Sequence, residues 1–514
     1  MAVEFQCMIQ DILGNEVYHK NNTDKLADRT IFYCITIPGE NDWVRTNQQQ
    51  QIIVSERDKK DSPALTRIFP TPSPEEKRAP ESEETDRLSH SLVNWSFPIP
   101  ADGKNRSCLI KVYDNDLVEH LRVNDIVKVE GVIEQDDSFA EGSDRDSFGG
   151  DKPNDENNGN NAQYSEKLFE HDRDFAPASD FSYRLVPRVH VKSLRKLNHI
   201  NPLLPDVILR NKIDVTKIKL ARARLSTILT QLLGGDTLAA EYLILSLISH
   251  THRRKDATIL GQFTVGLSGV SSDMRFLIDK IYEVLSRITT HSHFIDLSIA
   301  NLNNLRFTPQ KDHDNNKMIA GTLQLPDGLY LVLNETALTE GQLTAQGTEN
   351  LSTLNQIIRW QRLNYNFKFH SVAIDTDLKI LVISEGKSLL SVPYHVKLDK
   401  TDPEAIKSMR QACEAVDDFL SEDLLEMFRY FITVLKDVPE YNITDDVQKG
   451  IQEDFCNWRK SGLTSGKALF SADDLSSYMN IARYLTLSRG ETALSKELWK
   501  EVCDMETFRK ARLN

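Results

Sequence analysis

Gln262-Phe-Thr-Val265, followed by Gly266-Leu-Ser-Gly-Val-Ser-Ser272, is the stretch whose reading decides the fold. Its first part is apolar and reads as a buried strand; its second is a turn of small residues. Beyond it, Leu277, Ile281, Leu285 and Ile288 recur at the spacing of one helix face. Strand, glycine turn and helix are the parts of a phosphate-binding loop, in which bare amides and the positive end of the helix face an anion. A working loop adds a lysine for the outer phosphates and a hydroxyl for magnesium. Aligned on the turn, those places hold Ser272 and Asp273. A carboxylate at the mouth of such a pocket repels a phosphate unless it is protonated or holds a cation. Gly266 and Gly269 keep the shape of the loop, while the groups that drive the chemistry are missing.

Working outward, Ala320-Gly-Thr-Leu-Gln-Leu-Pro-Asp-Gly328 leads into Leu329-Tyr-Leu-Val-Leu-Asn-Glu335. An apolar run ending in two polar residues is the second half of an ATPase site, where Asp-Glu holds the metal and activates water. Here the pair is Asn334-Glu335, so half of that charge has gone. Any apolar strand that exits to the surface ends in polar residues, so the order of the pieces carries the argument.

In that order residues 230–390 resemble the AAA+ part of the minichromosome maintenance (MCM) helicase subunits. The whole chain resembles the MCM-binding protein family more closely. The resemblance rests on Phe5-Gln-Cys-Met-Ile-Gln-Asp11, Phe32-Tyr-Cys34 with Pro38-Gly-Glu40, and Val186-Pro-Arg-Val-His190. It continues through His199-Ile-Asn-Pro-Leu-Leu-Pro205, Leu238-Ala-Ala-Glu-Tyr-Leu-Ile-Leu245 and Ser384-Glu-Gly-Lys-Ser-Leu-Leu390. It implies a nuclear partner of MCM helicase subunits in DNA replication, associated with chromatin only indirectly. Comparable members carry more residues before the first block, so an upstream segment is expected to be missing or never to have been there. Whether Met1 is the natural start is left open.

The resemblance also implies where further catalytic groups would stand. The asparagine-containing segment after the strand Lys379-Ile-Leu-Val-Ile383 is here Ser384-Glu385-Gly386. The arginine finger that completes a neighbour's site falls on Val392, in Leu389-Leu-Ser-Val-Pro393, and valine cannot donate to a phosphate. The lid arginine that would touch ATP corresponds to Asp473. No cofactor and no metal are expected, and no catalytic residue is assigned.

A chain of 514 residues, 40% hydrophobic and 27% charged, holds two to four domains with sizeable cores. No run of about 18 apolar residues suggests a membrane span. Met1-Ala-Val-Glu-Phe5 lacks the basic start and apolar core of a secretory signal. Cysteines at 7, 34, 108, 413, 456 and 503 lack zinc-like spacing and read as reduced thiols. The net charge of −14 argues against a broad nucleic-acid-binding surface. Its source is local: between Asp136 and Asp180 there are 13 acidic and 4 basic residues.

The N-terminal part alternates apolar strands with polar turns: Val3 to Ile12, Thr30 to Ile37, and Trp43-Val44. Ser107 to Tyr113 and Asp125 to Ile133 follow with period-two alternation, and Leu185 to Leu194 supplies a last strand. Leu121-Arg-Val-Asn-Asp-Ile-Val-Lys-Val-Glu-Gly131 is typical of a small Greek-key barrel of OB type, its glycine permitting the bend that closure needs. Such barrels bind single strands through stacked aromatics and a basic groove, for which Phe32, Tyr33, Trp43, Tyr113, Arg45 and Lys111 are candidates. The plainer reading is that these aromatics fill the barrel and its rim. Insertions at 46–92 and 136–180 are too polar to offset the entropy of ordering. The first contains Ser62, Thr71 and Ser73, each followed by proline, as candidate phosphorylation sites.

From Pro205 a helical stretch ends at Gly234-Gly235, and Asp236 caps the next helix, Leu238 to Ser249. The basic run from His250 to Lys255 reads as a solvated helix end rather than a metal site. A helix around Leu351 to Trp360 and a hairpin from Tyr365 to Ile374 precede the strand at Lys379. Residues 404–438 and 445–513 are helical by pattern and resemble the lid of AAA+ proteins. The expected fold is therefore multidomain, β and α/β. An OB-like β-barrel occupies 1–200, a degenerate AAA+-like three-layer α/β domain 201–400, and a helical lid 401–514. The expected function is non-catalytic: a pseudo-subunit that binds MCM helicase subunits, with no membrane and no direct DNA contact. The competing readings are a single-stranded nucleic-acid-binding OB protein and a true ATPase relying on Glu335.

Overall fold

The computed structural model describes residues 2–19, 26–48, 97–99, 105–134, 186–205, 213–255, 258–314, 317–399, 401–436, 438, 441–465 and 470–513. The candidate phosphorylation sites Ser62, Thr71 and Ser73 and the acidic stretch 136–180 lie outside them. The chain is mixed α/β with several sheets, and its described residues fall into two compact units. No helix among them is long and apolar enough to cross a membrane.

The first unit draws on Met1–Thr36, Asp61–Lys196 and Gln310–Ala320. Strands β1 (Ala2–His19), β2 (Leu26–Ile35), β3 (Ser107–Val112), β4 (Ile126–Ile133) and β5 (Arg188–Lys196) close into a barrel in the order β1-β2-β3-β5-β4. Alternation builds its core: Val3, Phe5, Cys7 and Ile9 of β1 point inward with Phe32, Ile110, Val127, Val129 and Val189. Gly131 sits where the β4–β5 register breaks, and a Cβ there would stand 2.4 Å from the His190 carbonyl oxygen. Three cysteines far apart in sequence, Cys7, Cys34 and Cys108, meet in this core, and burial pushes their thiols up. A short hairpin, Gln310–Asp312 with Lys317–Ile319, also belongs here, and Lys311 Nζ lies 3.2 Å from Asp11 Oδ2.

The second unit draws on Ile37–Lys60, Leu197–Pro309 and Gly321–Asn514. Helix α1 (Val215–Leu232) ends at Gly234 and Gly235, both with positive φ, and Asp236 caps α2 (Thr237–Ile248) by accepting from the Ala239 amide at 3.0 Å. Strand β6 (Val265–Ser268), helix α3 (Arg275–Ile288), strands β7 (Ser292–Asp296) and β8 (Tyr330–Asn334), helix α4 (Ala345–Trp360), and strands β9 (Lys379–Ile383) and β10 (Tyr394–Lys397) follow. The five strands form one parallel sheet ordered β10-β6-β9-β8-β7. β8 and β9 are buried at every position, as parallel strands covered on both faces must be.

Helices α5 (Pro403–Phe419), α6 (Glu422–Lys436), α7 (Asp445–Ser465), α8 (Ala472–Ser488) and α9 (Lys496–Leu513) complete the unit. α9 is held by buried charge. Arg509 grips Glu506 through Nε and Nη2, both at 2.7 Å, Glu506 also accepts from the Tyr242 hydroxyl, and Arg509 Nη1 reaches the His395 carbonyl at 3.0 Å. At the other end of the unit's sequence, residues 42–48 form a helix where a strand is expected. Trp43 donates from Nε1 to the Thr289 carbonyl at 2.8 Å, and the Arg429 guanidinium lies 4.0 Å from its ring centroid. Indole burial against this cation outweighs the strand pattern of two apolar residues.

Candidate functional site

In an open parallel sheet, ligands sit beyond the carboxyl ends of the strands, where the strand order reverses. Here the reversal lies at β6: the chain leaves it for β7 at the far edge and later returns from β9 to β10 on its other side. Of the nucleotide-site positions singled out from the sequence, Gly269, Ser272 and Asp273 follow β6, and Asn334 and Glu335 stand at the end of β8. Val392 lies in the loop leading to β10, Gly266 lies within β6 itself, and Asp473 lies elsewhere, at the start of α8.

β6 begins three residues later than the pattern suggests, so Gly266 and Ser268 are strand, not turn. Gly266 is small because β6 is crowded: a Cβ on it would stand 3.1 Å from Val392 Cγ1. Gly269 makes the turn, with φ +88°. The amides then freed do not stay open. Gly269 N–H donates to the Glu385 carbonyl at 3.0 Å and Val270 N–H to the Ser384 carbonyl at 3.2 Å, while Ser384 N–H donates to Leu267 at 2.9 Å. Donors that would cradle a phosphate are spent on the exit of β9. Ser272 and Asp273 follow, both exposed, in a single 3-10 turn before α3.

Asn334 is fully buried. Its Nδ2 donates to Asp296 Oδ1 at 2.6 Å, and its Oδ1 accepts from the Thr336 hydroxyl at 2.7 Å and the Thr336 amide at 3.0 Å. Asp296, at the end of β7, also accepts from Arg275 Nη1 at 2.7 Å, and Arg275 Nε turns back to Asp279 at 2.8 Å. The cation closest in sequence to the loop is thereby committed to two carboxylates. Glu335 is 7% exposed and accepts from the Ser388 hydroxyl at 2.8 Å. Burial raises its carboxyl above the usual range, against the pull of Ser388 and of the Leu389 and Leu390 amides. The pair Asn334 and Glu335 is thus built into the wall, one residue facing β7 and the other the loop before β10.

Val392 packs back toward β6 of its own sheet. Asp473 is exposed in the first turn of α8, whose capping box is made by Ser471 and Asp474. The nucleic-acid candidates scatter. Phe32 is fully buried and Tyr33 nearly so, Trp43 belongs to the second unit, and Arg45 Nε pairs with Glu40 at 3.1 Å. Tyr113 stays half-buried on the barrel with its hydroxyl on His190 Nδ1, and Lys111 is paired with Glu134 at 3.2 Å. Among the described residues, no group of three or more His, Cys, Asp or Glu side chains could hold a metal.

A family model described as Mini-chromosome maintenance replisome factor matches residues 55–513. Mini-chromosome maintenance complex-binding protein of Gallus gallus is 32% identical, covering 99% of this chain and 88% of its own. The Homo sapiens protein of that name is 30% identical with the same coverage, and the Drosophila melanogaster one 26%, over 99% and 89%. The chain belongs to this family. Within this member of the mini-chromosome maintenance complex-binding proteins, two contacts were not anticipated from sequence. Arg275 to Asp296 could have been suspected from an acid closing a strand and a base opening a helix. Ser388 to Glu335 had no local mark, since 53 residues separate the partners.

Proposed function

We propose that this chain is a non-catalytic partner of the MCM complex that takes a helicase subunit's place through a subunit's shape. The relatives named for binding that complex support the choice of partner. The sheet order, with a glycine turn after its first strand in sequence and an Asn-Glu pair after its third, supports a degenerate AAA+-like domain. Five strands closed in the order β1-β2-β3-β5-β4 support an OB-like barrel. One observation carries the pseudo-subunit reading: the Gly269 and Val270 amides donate to the Glu385 and Ser384 carbonyls instead of facing solvent. A loop whose first two amides are taken in this way, with Ser272 and Asp273 at the lysine and hydroxyl positions, offers a triphosphate fewer backbone donors and no cation at those positions. Such a subunit occupies a neighbour's face without completing a shared site. It acts on assembly, storage or removal of the complex from chromatin, in the nucleus.

The test is mixing the purified chain with individual MCM subunits and subassemblies on a sizing column, with and without ATP. Co-elution with at least one of them, unchanged by ATP, is the expected result. Failure to co-elute with any overturns the proposal.

A further inference from the structure

The hairpin between α4 and β9 ends in a built knob. Its strands, Arg362–Asn366 and Ser371–Asp375, pair in register, and the second is exposed along almost its whole length. Phe369 at its tip is 85% exposed, the highest value for any large apolar side chain among the described residues, and Val372 below it is 41% exposed. Exposed phenylalanines on loose turns are common, but this turn is braced. Lys368 N–H donates to Asn366 Oδ1 at 2.8 Å, Phe367 N–H to the His370 carbonyl at 2.9 Å, and Phe369 N–H to the Phe367 carbonyl at 2.8 Å. The Phe367 and His370 rings stack at 5.2 Å and 7° across the base of the turn. Lys368 adopts φ +69°, a conformation costly to a side-chain-bearing residue, and its ammonium lies 5.7 Å from the Phe369 ring centroid.

A strained, hydrogen-bonded turn that holds one aromatic ring and one cation outward is preorganised for contact, because ordering it on binding costs little. We propose that this tip is an anchor that inserts Phe369 into an apolar pocket of a partner protein, with Lys368 meeting carboxylates on the pocket's rim. The charge on the ribbon favours a protein over a nucleic acid. Arg362 is paired with Asp375 at 2.8 Å and Arg254 with the same carboxylate at 3.6 Å, leaving Lys368 as the tip's cation rather than part of a basic track. Single strands are held by stacking together with a row of cations, and one lysine does not make a row. Phenylalanine also asks for a pocket without a hydrogen-bond acceptor, unlike tyrosine or tryptophan.

The proposal rests on the reading of the chain as a partner of the MCM complex, and names the hairpin as part of that contact. The test compares wild type, Phe369→Ala and Lys368→Glu in binding to the subunit or subassembly that co-elutes with wild type, followed by calorimetry. Phe369→Ala is expected to weaken binding by about 30-fold or more, as loss of a central aromatic anchor does. Lys368→Glu is expected to weaken it less and to reduce its dependence on salt. Neither should shift the thermal midpoint, since both side chains point to solvent. Wild type binding no subunit overturns the partner reading and this proposal with it; wild type binding while Phe369→Ala binds equally well overturns the anchor alone. A labelled oligothymidylate bound by wild type and released by Phe369→Ala overturns the choice of a protein partner.

Discussion

The two ends of the five-stranded sheet spend their polar groups differently. At the carboxyl ends, β6, β8 and β9 run out into Gly269, Glu335 and Ser384, and each is tied to another part of the same rim. At the amino ends lie two buried basic side chains. Lys379, the first residue of β9, is 5% exposed and its Nζ donates to the Leu247 carbonyl at the end of α2. His291, just before β7, is 6% exposed; its Nε2 donates to the Asp327 carbonyl at 3.2 Å and its Nδ1 accepts from the Thr290 hydroxyl at 2.7 Å. Burial, helped by nearby Lys436, lowers Lys379 to about 7 and His291 to about 3. The end where an anion would bind has no lysine in its loop, and the end where no ligand is expected has one. Lys379 and His291 serve packing, not phosphate.

The largest expected effect restores the lost acid at the carboxyl end. Asn334→Asp sets a second carboxylate where an amide now donates to Asp296 at 2.6 Å. We expect a loss of about 3 kcal/mol by urea denaturation, the scale of a buried donor replaced by a repelling charge, and no ATP turnover. An unchanged midpoint would mean that this wall is not closed.

At the amino end the effects depend on pH. Folded His291 holds its proton only below about 3, against 6.5 for a free imidazole. Across that window the unfolded chain binds more protons, so stability falls as pH drops from 6.5 toward 3. His291→Gln should flatten that acid limb in thermal denaturation. By the same rule, Lys379 lowered from 10.5 to about 7 makes stability rise with pH between those values. Lys379→Met loses the bond to Leu247 but no longer buries an ammonium. We expect a net change within about 1 kcal/mol at neutral pH and a shallower rise toward pH 10. The smallest effect belongs to Glu335→Gln, which keeps an acceptor for Ser388 and should change stability by less than about 0.5 kcal/mol. Any ATPase activity removed by this substitution would break the comparison, because Glu335 would then be acting on water.

Much of the framework was legible. Asp236 as a cap, Gly234-Gly235 as a stop, α4 and the hairpin before β9 all follow local rules, and local rules survive packing. The apolar runs Leu329 to Leu333 and Lys379 to Ile383 read as strands, and they are inner strands of the parallel sheet, where both faces are covered and both tolerate apolar residues. The errors have physical causes. Gly266 looked like turn punctuation, yet its smallness answers Val392, more than a hundred residues away. Trp43 looked like a strand residue because the carbonyl of Thr289 and the guanidinium of Arg429 cannot be foreseen from its neighbours. Gln310–Ala320 carries no mark of the barrel unit it joins, and only tertiary structure assembles Cys7, Cys34 and Cys108. At the candidate site the missing residues could be read off directly. That the loop amides were already occupied could not, since backbone hydrogen bonds between distant segments leave no trace in side-chain identity.

The central claim is that the Gly269 and Val270 amides after β6 are taken by the chain's own carbonyls and not left for a phosphate. Its most direct test is a thermal-shift titration of the purified protein with magnesium ATP up to millimolar concentrations. The account predicts an unmoved midpoint. Saturable stabilisation that reaches about 2.7 kcal/mol at a hundredfold excess over the dissociation constant, and is lost in Gly269→Val, would contradict it.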